Sequence, residues 1–340
     1  MSPDDYKIRI ADHEIEFVDR KEEINTLKKW IERGSPTAEF IYGPEGCGKS
    51  TLLRYLAAIS KDPYTIIYID ALEQEPAKAL QGAKLPEQEV IEIASHIGGP
   101  AGAAIARAIM KLLERIHAKL RFEQKHLAIL VDDPIRALGL DKCEAYIKWL
   151  YELIQKTSHE FKPKTVLILA TSSEGTSRRL LLRHTYVHIT LMWNLPYQGA
   201  AELAHQLPKP RIDPEELWLL TGGNPRAIID LALRFRWNTR QWIKEIKYKL
   251  AETIKEIKHK KLETTLLETI DDPDTLWHET TSKTETLLSI LEKHNLIIYK
   301  HHTTLTQQGI PPNPELGIGK YYAWQIPAYK IALQQLLQEH

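Results

Sequence analysis

The chain has 340 residues, which is too long for one ordinary domain, and its 43% hydrophobic and 26% charged residues are typical of a globular protein. Its formal net charge of +0 excludes a global field that would attract nucleic acid or a membrane, so any such surface must be a local patch. Its two cysteines, Cys47 and Cys143, do not form a disulfide framework pattern and indicate a reducing, cytoplasmic location.

No membrane segment or signal peptide is expected. Residues 1–5 are polar and acidic, unlike the start of a signal peptide. The longest apolar stretch, residues 97–113, is interrupted by Arg107 and Lys111 and falls short of a membrane span.

The first predicted elements form a lead-in segment. Residues 6–17 are predicted to be extended, and a helix follows, with Asp19 as its N-cap and Glu22 completing a capping box. Phe17 and Arg20 lie at this junction and are predicted to cover the adenine ring of a nucleotide bound by the next element. A capped surface helix without any ligand would explain the same pattern.

A glycine-rich loop comes next, between a short buried strand at residues 39–42 and a helix that opens at Thr51. It matches G-x-x-x-x-G-K-[ST], the phosphate-binding P-loop, in which backbone N–H groups and the helix N-terminus surround the phosphates. Lys49 is predicted to reach the β- and γ-phosphates, and the Ser50 hydroxyl to ligate Mg²⁺. The predicted nucleotide contacts are Gly43, Pro44, Glu45, Gly46, Cys47, Gly48, Lys49, Ser50 and Thr51.

Four more strands are predicted, at residues 65–70, 127–131, 165–170 and 186–191. Several are continuous apolar runs, as strands buried on both faces should be, and helical stretches separate them. One such stretch, residues 87–120, is predicted to form two helices broken at Gly98-Gly99-Pro100. The alternation predicts an α/β fold with a parallel sheet.

Polar residues follow two of these strands. Asp132 is predicted to hold Mg²⁺ and Asp133 to polarise an attacking water, although Asp also ends strands as a turn or cap residue. At the end of the next predicted strand, Thr171, Ser172 or Ser173 is predicted to orient that water, with a solvated turn as the alternative. Among the arginines that follow, Arg179 is a candidate arginine finger for a neighbouring subunit, or a surface residue.

The sequence after residue 194 is predicted to be helical up to residue 261. Its lysine-rich last helix is typical of a solvated face. Within this region, Gly222 or Gly223 ends one helix and Pro225 begins the next. Pro225 and Arg226 are predicted to contact the nucleotide, with Arg226 sensing its phosphates. A plain helix-capping turn is the alternative.

Residues 262–340 change character again, to helices followed by two strands around a loop rich in Pro and Gly. That arrangement is winged-helix-like. The predicted domains are therefore 1–194, a P-loop ATPase core; 195–261, a helical lid; and 262–340, a winged helix. A basic wing and a helix N-terminus can contact DNA phosphates. The candidate DNA-contacting residues are Lys283, Thr284, Lys300, His301 and His302.

With these motifs assembled, the chain resembles the archaeal ATPase family, within the AAA+ and STAND group of P-loop ATPases. The resemblance rests on residues 17–23, 43–51, 130–133, 171–173 and 222–226, and on the closing stretch 322–329. It implies a sheet of strand order 5-1-4-3-2, a helical lid and a C-terminal winged helix, a plan shared with archaeal origin-recognition initiators. Asp133 stands where many relatives carry Glu, which implies slow hydrolysis. No N-K-x-D signature for guanine is present, so ATP or ADP with Mg²⁺ is the expected ligand.

Three functions remain open on the sequence. The first is an ATPase whose nucleotide state controls DNA binding or remodelling by the winged helix. The second is a STAND-type nucleotide switch whose C-terminal domain contacts a protein partner, with nucleotide-dependent self-association. The third is a scaffold with a relic P-loop, which the presence of Lys49, Ser50 and Asp132 argues against.

Overall fold

Five parallel strands form the centre of the protein. The computed structural model describes residues 6–73, 80–81, 110–111, 113–115, 117–118, 122–172, 175–209 and 212–339. The central sheet contains β3 (Ala38–Tyr42), β4 (Tyr64–Asp70), β5 (Leu80–Gln81), β6 (His126–Asp132), β7 (Thr165–Ser172) and β8 (Val187–Leu191). The order across the sheet is β5-β4-β6-β7-β3-β8, and only β5 pairs antiparallel. If the five parallel strands are numbered 1 to 5 along the chain, their order across the sheet, read from the β8 edge, is 5-1-4-3-2.

Helices cover both faces of this sheet, because its strands carry apolar side chains on both faces. The helices of this part are α1 (Lys21–Arg33), α2 (Lys49–Ala58), α3 (Pro134–Leu138), α4 (Cys143–Phe161) and α5 (Gly175–Leu181). Helices α1 and α2 pack on the face that contains Tyr68 and Leu130. Helix α4 packs on the other face, against Ile67 and Ile129. The α/β prediction is confirmed. The helices predicted at residues 87–120 lie, apart from short stretches, outside the described residues.

The lead-in segment is a small antiparallel hairpin, β1 (Lys7–Ile10) and β2 (His13–Glu16). Helix α1 then begins one residue later than predicted, with Arg20 as its N-cap and no capping side chain. The prediction of an Asp19 capping box is therefore wrong. Asp19 has a φ of 47° and its carboxylate lies against Gly199, where an added Cβ would be 2.6 Å from Asp19 Oδ2. A tertiary contact thus sets the backbone at Asp19 in place of the local cap.

The rest of the chain is mainly helical. It contains α6 (Tyr197–His205), α7 (Pro214–Thr221), α8 (Pro225–Ile229), α9 (Thr239–His259), α10 (Glu263–Asp271), α11 (Thr275–His278), α12 (Ser282–Lys293), β9 (Ile297–Tyr299), β10 (Tyr322–Trp324) and α13 (Pro327–Gln338). One cluster of buried apolar side chains runs through this region, from Leu231 and Ile246 to Leu287 and Leu333. Strands β9 and β10 pair antiparallel. Within the described residues, no helix is long and apolar enough to cross a membrane.

Residues 262–340, which we call the C-terminal segment, also extend the central sheet. The Leu191 N–H donates to the Thr303 carbonyl at 2.8 Å, and the Leu305 N–H donates to the Leu191 carbonyl at 2.9 Å. This parallel bridge places residues 303–305 along the outer edge of β8. Leu305 is buried in the same cluster as α2. The loop after β9 therefore covers an edge strand that would otherwise expose unpaired backbone groups.

Candidate functional site

The glycine-rich loop between β3 and α2 winds tightly enough to demand glycine. Gly48 caps α2 with a φ of 104°, and Gly46 has a φ of 82°. Both lie in the left-handed region that side chains rarely adopt. A Cβ on Gly46 would also lie 2.5 Å from Arg226 Cβ. The glycines of the sequence motif are thus required by the backbone path and by the close approach of α8.

Lys49 and Ser50 stand at the first turn of α2, at the mouth of this loop. Lys49 is buried, and its Nζ donates to the carbonyls of Gly43 at 2.8 Å and Pro44 at 2.9 Å. Ser50 is half-buried. A phosphate at the helix N-terminus would offer Lys49 charged oxygens in place of neutral carbonyls, and charge-assisted bonds are the stronger.

Two adjoining pockets open beside the loop. The first, of about 310 Å³, is lined by charged and polar residues together with Ile10, Pro225 and Ile229, and we call it the polar pocket. Besides Gly46, its lining includes Glu45, Lys49, Ser50, Asp133, Arg136 and Arg226. The second, of about 70 Å³, is lined mainly by apolar groups of the lead-in segment and α6, including Ile8, Phe17, Val18, Leu195 and Leu203. Both share Gly48, Thr51 and Pro225. Polar space beside an apolar slot matches the two ends of a nucleotide, phosphates and base.

Arg20 lines the apolar pocket, but its guanidinium is used within the protein. Its Nη2 donates to the carbonyls of Cys47 and Trp193, both at 2.8 Å, and its Nη1 pairs with Glu23 at 2.6 Å. Arg20 therefore braces the P-loop against the chain after β8, and its contact with a nucleotide stays a prediction. Phe17 packs on Tyr55 with ring centroids 5.0 Å apart, which fixes one wall of the pocket.

The acid pair at the end of β6 is split between two environments. Asp132 is buried; its Oδ1 accepts from the Thr171 hydroxyl at 2.6 Å and its Oδ2 from the Tyr68 hydroxyl at 3.0 Å. Asp133 turns out of the strand with a φ of 44°, begins α3 and lines the polar pocket. The Asp133 N–H donates to Thr171 Oγ1 at 2.9 Å. Thr171 therefore bonds the Asp132 carboxylate and the Asp133 backbone, whereas Ser172 is buried in β7 and Ser173 lies outside the described residues.

Three residues of this network were missed by the sequence analysis. Arg54 donates from Nε to the Tyr68 hydroxyl at 3.0 Å and from Nη2 to Asp70 Oδ2 at 2.7 Å. Burial, and next the Asp132 charge, raise the pKa of Tyr68, which keeps its hydroxyl a donor. Asp70 ends β4 in register with Asp132. The sequence signal that could have identified this network is that two neighbouring strands, β4 and β6, each end in an aspartate.

The residues present fit a Mg²⁺–nucleotide ligand. Within the part of the chain that the structure describes, no three or more His, Cys, Asp or Glu side chains cluster to hold a metal by themselves. Mg²⁺ is commonly held by one or two protein groups together with substrate phosphates. Ser50 and Asp132 would be those groups, and the metal would neutralise phosphate charge.

Helix α8 and the residues just before it pack against the P-loop. Arg226 Nη1 pairs with Glu45 Oε1 at 2.7 Å, and the Arg226 N–H donates to the Gly46 carbonyl at 3.3 Å. Asn224 donates from Nδ2 to the Glu45 carbonyl at 2.9 Å. The Arg226 side chain remains 67% exposed, so its guanidinium borders solvent as well as the polar pocket.

The C-terminal segment touches the same loop. The Glu45 N–H donates to Gln325 Oε1 at 2.7 Å. Asn194 Nδ2 donates to the Gln325 carbonyl at 3.0 Å, and Asn224 Nδ2 also donates to Asn194 Oδ1 at 2.9 Å. Asn194, Asn224 and Gln325 are all buried. A polar network that joins all three regions of the chain therefore converges on Glu45.

Helix α5 provides a second contact with the C-terminal segment. Arg179 pairs with buried Glu292 of α12 at 2.5 Å. The Arg178 guanidinium lies 4.3 Å from the Tyr299 ring centroid. The candidate arginine finger Arg179 is thus engaged within its own chain here. Burial outweighs the two arginines and raises the pKa of Glu292.

The structure corrects three of the five residues predicted to contact DNA. Thr284 is buried and bonds Thr281 and the Glu279 carbonyl, because it completes the cap of α12. Lys300 is buried and donates to the Ile310 carbonyl at 2.8 Å; burial lowers its pKa. His302 is half-buried against Arg178. Lys283 and His301 remain exposed.

His302 predicts a pH dependence of stability. Burial, and next the neighbouring Arg178 and His301 charges, lower its pKa to about 4. A lowered pKa favours the neutral ring in the folded state, so the stabilisation is present above the ordinary pKa of about 6.5 and is lost as pH falls toward 4. From pH 7 to pH 5 we expect the wild type to lose about 1–2 kcal/mol more than His302→Gln. Thermal melts at both pH values measure this, with His259→Gln, at an exposed position on α9, as control. Equal losses in wild type and His302→Gln would contradict it.

Comparison with known proteins identifies the group to which this site belongs. The chain is similar in structure to the Aeropyrum pernix ORC2 protein, solved as ADPNP–ADP complexes, with a TM-score of 0.43 and 13% identity over 95% of each chain. No curated protein sequence matches the chain. The sequence model of an ATPase domain predominantly from Archaea matches residues 17–231, which include the P-loop, the acid pair and Arg226. The chain therefore belongs to this family of ATPase domains found mainly in Archaea.

Proposed function

We propose that this P-loop ATPase couples ATP binding and hydrolysis to DNA binding or remodelling by its C-terminal segment. In this proposal residues 1–194 are the ATPase core, 195–261 a helical lid and 262–340 a winged-helix domain. ATP or ADP with Mg²⁺ is the ligand, and the protein acts in the cytoplasm. DNA is the proposed partner, with nucleotide-dependent self-association as a further property of the ATP-bound form.

The convergence of the lid and the C-terminal segment on Glu45 carries this proposal. Glu45 bonds Arg226 through its carboxylate and Gln325 through its N–H. A phosphate in the polar pocket competes with the Glu45 carboxylate for Arg226, because both are anions. Nucleotide occupancy then changes contacts that reach directly into residues 262–340.

The proposed chemistry assigns one role to each polar group of the site. Lys49 and Arg226 bind phosphate charge, and Ser50 and Asp132 hold Mg²⁺, which supplies charge neutralisation at the transferred phosphate. Asp133 lines the pocket and acts as the general base that orients the attacking water. Its side chain is one methylene shorter than Glu, so a slow turnover follows.

A second candidate is a nucleotide switch with a protein partner. It is supported by the Arg179–Glu292 pair and by the bridge of residues 303–305 to β8, which hold the C-terminal segment against the core. It is also supported by the burial of Thr284 and Lys300, which leaves fewer groups for DNA. In this version ATP holds the lid and core together through Arg226, hydrolysis releases them, and the C-terminal segment then masks or exposes a surface that binds a protein.

Steady-state ATP hydrolysis with and without duplex, single-stranded and branched DNA tests the proposal, with Lys49→Ala as the blank. Stimulation by one form of DNA would support a DNA-coupled ATPase. A rate that Lys49→Ala abolishes but that no DNA changes would reject the coupling to DNA and favour the protein-partner switch.

The buried hydrogen bonds to Asp132 predict a smaller effect on turnover. Tyr68→Phe removes the hydroxyl that donates to Asp132 Oδ2 but keeps the ring. We expect turnover to fall by about threefold to tenfold, corresponding to about 1 kcal/mol for one lost hydrogen bond, with ATP affinity unchanged, because Thr171 still donates to the other oxygen of Asp132. Steady-state kinetics measure both, with Tyr64→Phe, on the same strand, as the matched control. An unchanged turnover in Tyr68→Phe would remove the hydroxyl from the catalytic network.

A further inference from the structure

The C-terminal segment carries an exposed group of stacked rings that the ATPase site does not use. We call Trp277, His278, His301 and Tyr321 the aromatic platform. Trp277 stacks on Tyr321 with ring centroids 4.3 Å apart and an angle of 14° between the planes. His278 and His301 lie 5.9 Å and 5.1 Å from the Tyr321 ring. Trp277 is nevertheless 45% exposed, so part of its indole ring faces solvent.

The aromatic platform is held rigidly from below by Asp274. This buried carboxylate accepts from three successive backbone N–H groups, those of Lys320 at 2.5 Å, Tyr321 at 2.8 Å and Tyr322 at 2.9 Å. The Asp274 carbonyl also accepts from the Trp277 N–H at 2.8 Å. One residue thus fixes α11 and the start of β10 together. A ligand that meets this surface does not have to order it, which lowers the entropic cost of binding.

An exposed cation adjoins the aromatic platform and can attract an anionic ligand. Lys320 Nζ lies 5.1 Å from the Tyr321 ring centroid and is exposed. His278 and His301 add exposed imidazoles at the same surface. The Asp274 charge is met by its three N–H donors. The nearest exposed acids on either side of Trp277 in the chain are Asp272 and Glu279. Flat apolar rings beside a lysine match a polymer that alternates flat bases with phosphates.

We propose that the aromatic platform binds single-stranded nucleic acid by stacking an unpaired base on Trp277, with Lys320 attracting the adjoining phosphate. A base in a duplex has both faces covered by its neighbours, so this surface selects unpaired nucleotides. Aromatic rings beside basic groups are the usual means of binding single strands without reading their sequence. The inference deepens the nucleic-acid part of the proposed function, on which it rests, and does not depend on ATP hydrolysis.

Fluorescence anisotropy with a labelled oligothymidine of about 12 nucleotides tests the platform. We expect Trp277→Ala to weaken binding by about fivefold to a hundredfold, the loss typical for one stacked base, and Trp277→Phe to keep most of it. Lys320→Ala should reduce the slope of log K against log salt by about 0.7. Duplex of the same length should bind more weakly than the single strand. If oligouridine binds equally well, the platform accepts single-stranded RNA as well as DNA, and the result supports the same site.

Tyr248→Ala is the matched control, since Tyr248 is 64% exposed on α9 away from the platform. Equal affinities for Trp277→Ala and Tyr248→Ala would overturn the proposal, as would a proline-rich peptide that binds here while oligonucleotides do not. Single-strand binding that is indifferent to Trp277, together with ATP hydrolysis that duplex still stimulates, would overturn this inference and leave the proposed function standing. Single-strand binding lost in Trp277→Ala, with hydrolysis indifferent to DNA, would support the platform and reject the coupling.

Discussion

Lys49→Ala should abolish ATP hydrolysis, with turnover reduced by at least about a hundredfold. The lysine is buried at the start of α2, and its Nζ already lies over the loop carbonyls where phosphate oxygens would bind. No other lysine lines the polar pocket as described. Removing one preorganised donor to the reacting group costs about 10²–10³ in rate, and Lys49 also contributes to binding.

Two measurements separate binding from turnover in this variant. ATP hydrolysis gives turnover, and a thermal shift with MgATP gives binding, since ligand at 100 times its Kd stabilises by about 2.7 kcal/mol. Lys29→Ala, at an exposed position on α1, is the control and should behave as wild type. If wild type shows neither hydrolysis nor a thermal shift, the P-loop is a relic and the scaffold alternative is correct.

The sequence was sufficient for the parts of this molecule that depend on local pattern. The glycines of the P-loop and the buried strands β3, β4, β6 and β7 could be recognised from the sequence, because loop geometry and burial on both faces demand those residue types. Strand β8 was also predicted, although its His188 is exposed. The two acids after β6 were also found by position. Their different surroundings were not, since Tyr68 comes from another strand.

Several predictions did not foresee contacts between residues that are separated in the sequence. Arg20 was predicted to contact the nucleotide because of its place in a motif, and the bonds of its guanidinium to Cys47 and Trp193 were not foreseen. Lys300 looked like a basic wing residue, but it is buried against the carbonyl of Ile310. Gln325 lies in the closing stretch 322–329 of the resemblance but was given no role of its own, although it bonds the P-loop. Sequence spacing carries no information about a hydrogen bond across 280 residues.

Arg179→Ala should loosen the C-terminal segment from the core. The pair with Glu292 is asymmetric, because the arginine is 47% exposed whereas the carboxylate is only 3% exposed. Losing the arginine leaves a buried charge without its ion-pair partner. After allowing for solvent screening of the exposed arginine, we expect a loss of about 1–3 kcal/mol, or about 2–10 °C in Tm. Hydrogen exchange at residues 303–305 should rise in the same variant, because their bridge to β8 depends on the docked position.

A second substitution in the same background tests the physical cause. Glu292→Gln removes the buried charge, so Arg179→Ala/Glu292→Gln should recover most of the lost stability, whereas Arg183→Ala, at a nearby exposed position, should lose none. The pH dependence has a definite sign. Burial raises the pKa of Glu292, so its contribution to stability is fully present below the ordinary value of about 4.5 and is lost as pH rises through the folded-state pKa. Without Arg179 that pKa rises further, and the defect of Arg179→Ala should therefore be smaller at pH 5 than at pH 8. A defect that is independent of pH, or that Glu292→Gln does not relieve, would mean that Arg179 acts through packing and that the ion pair does not hold the segment in place.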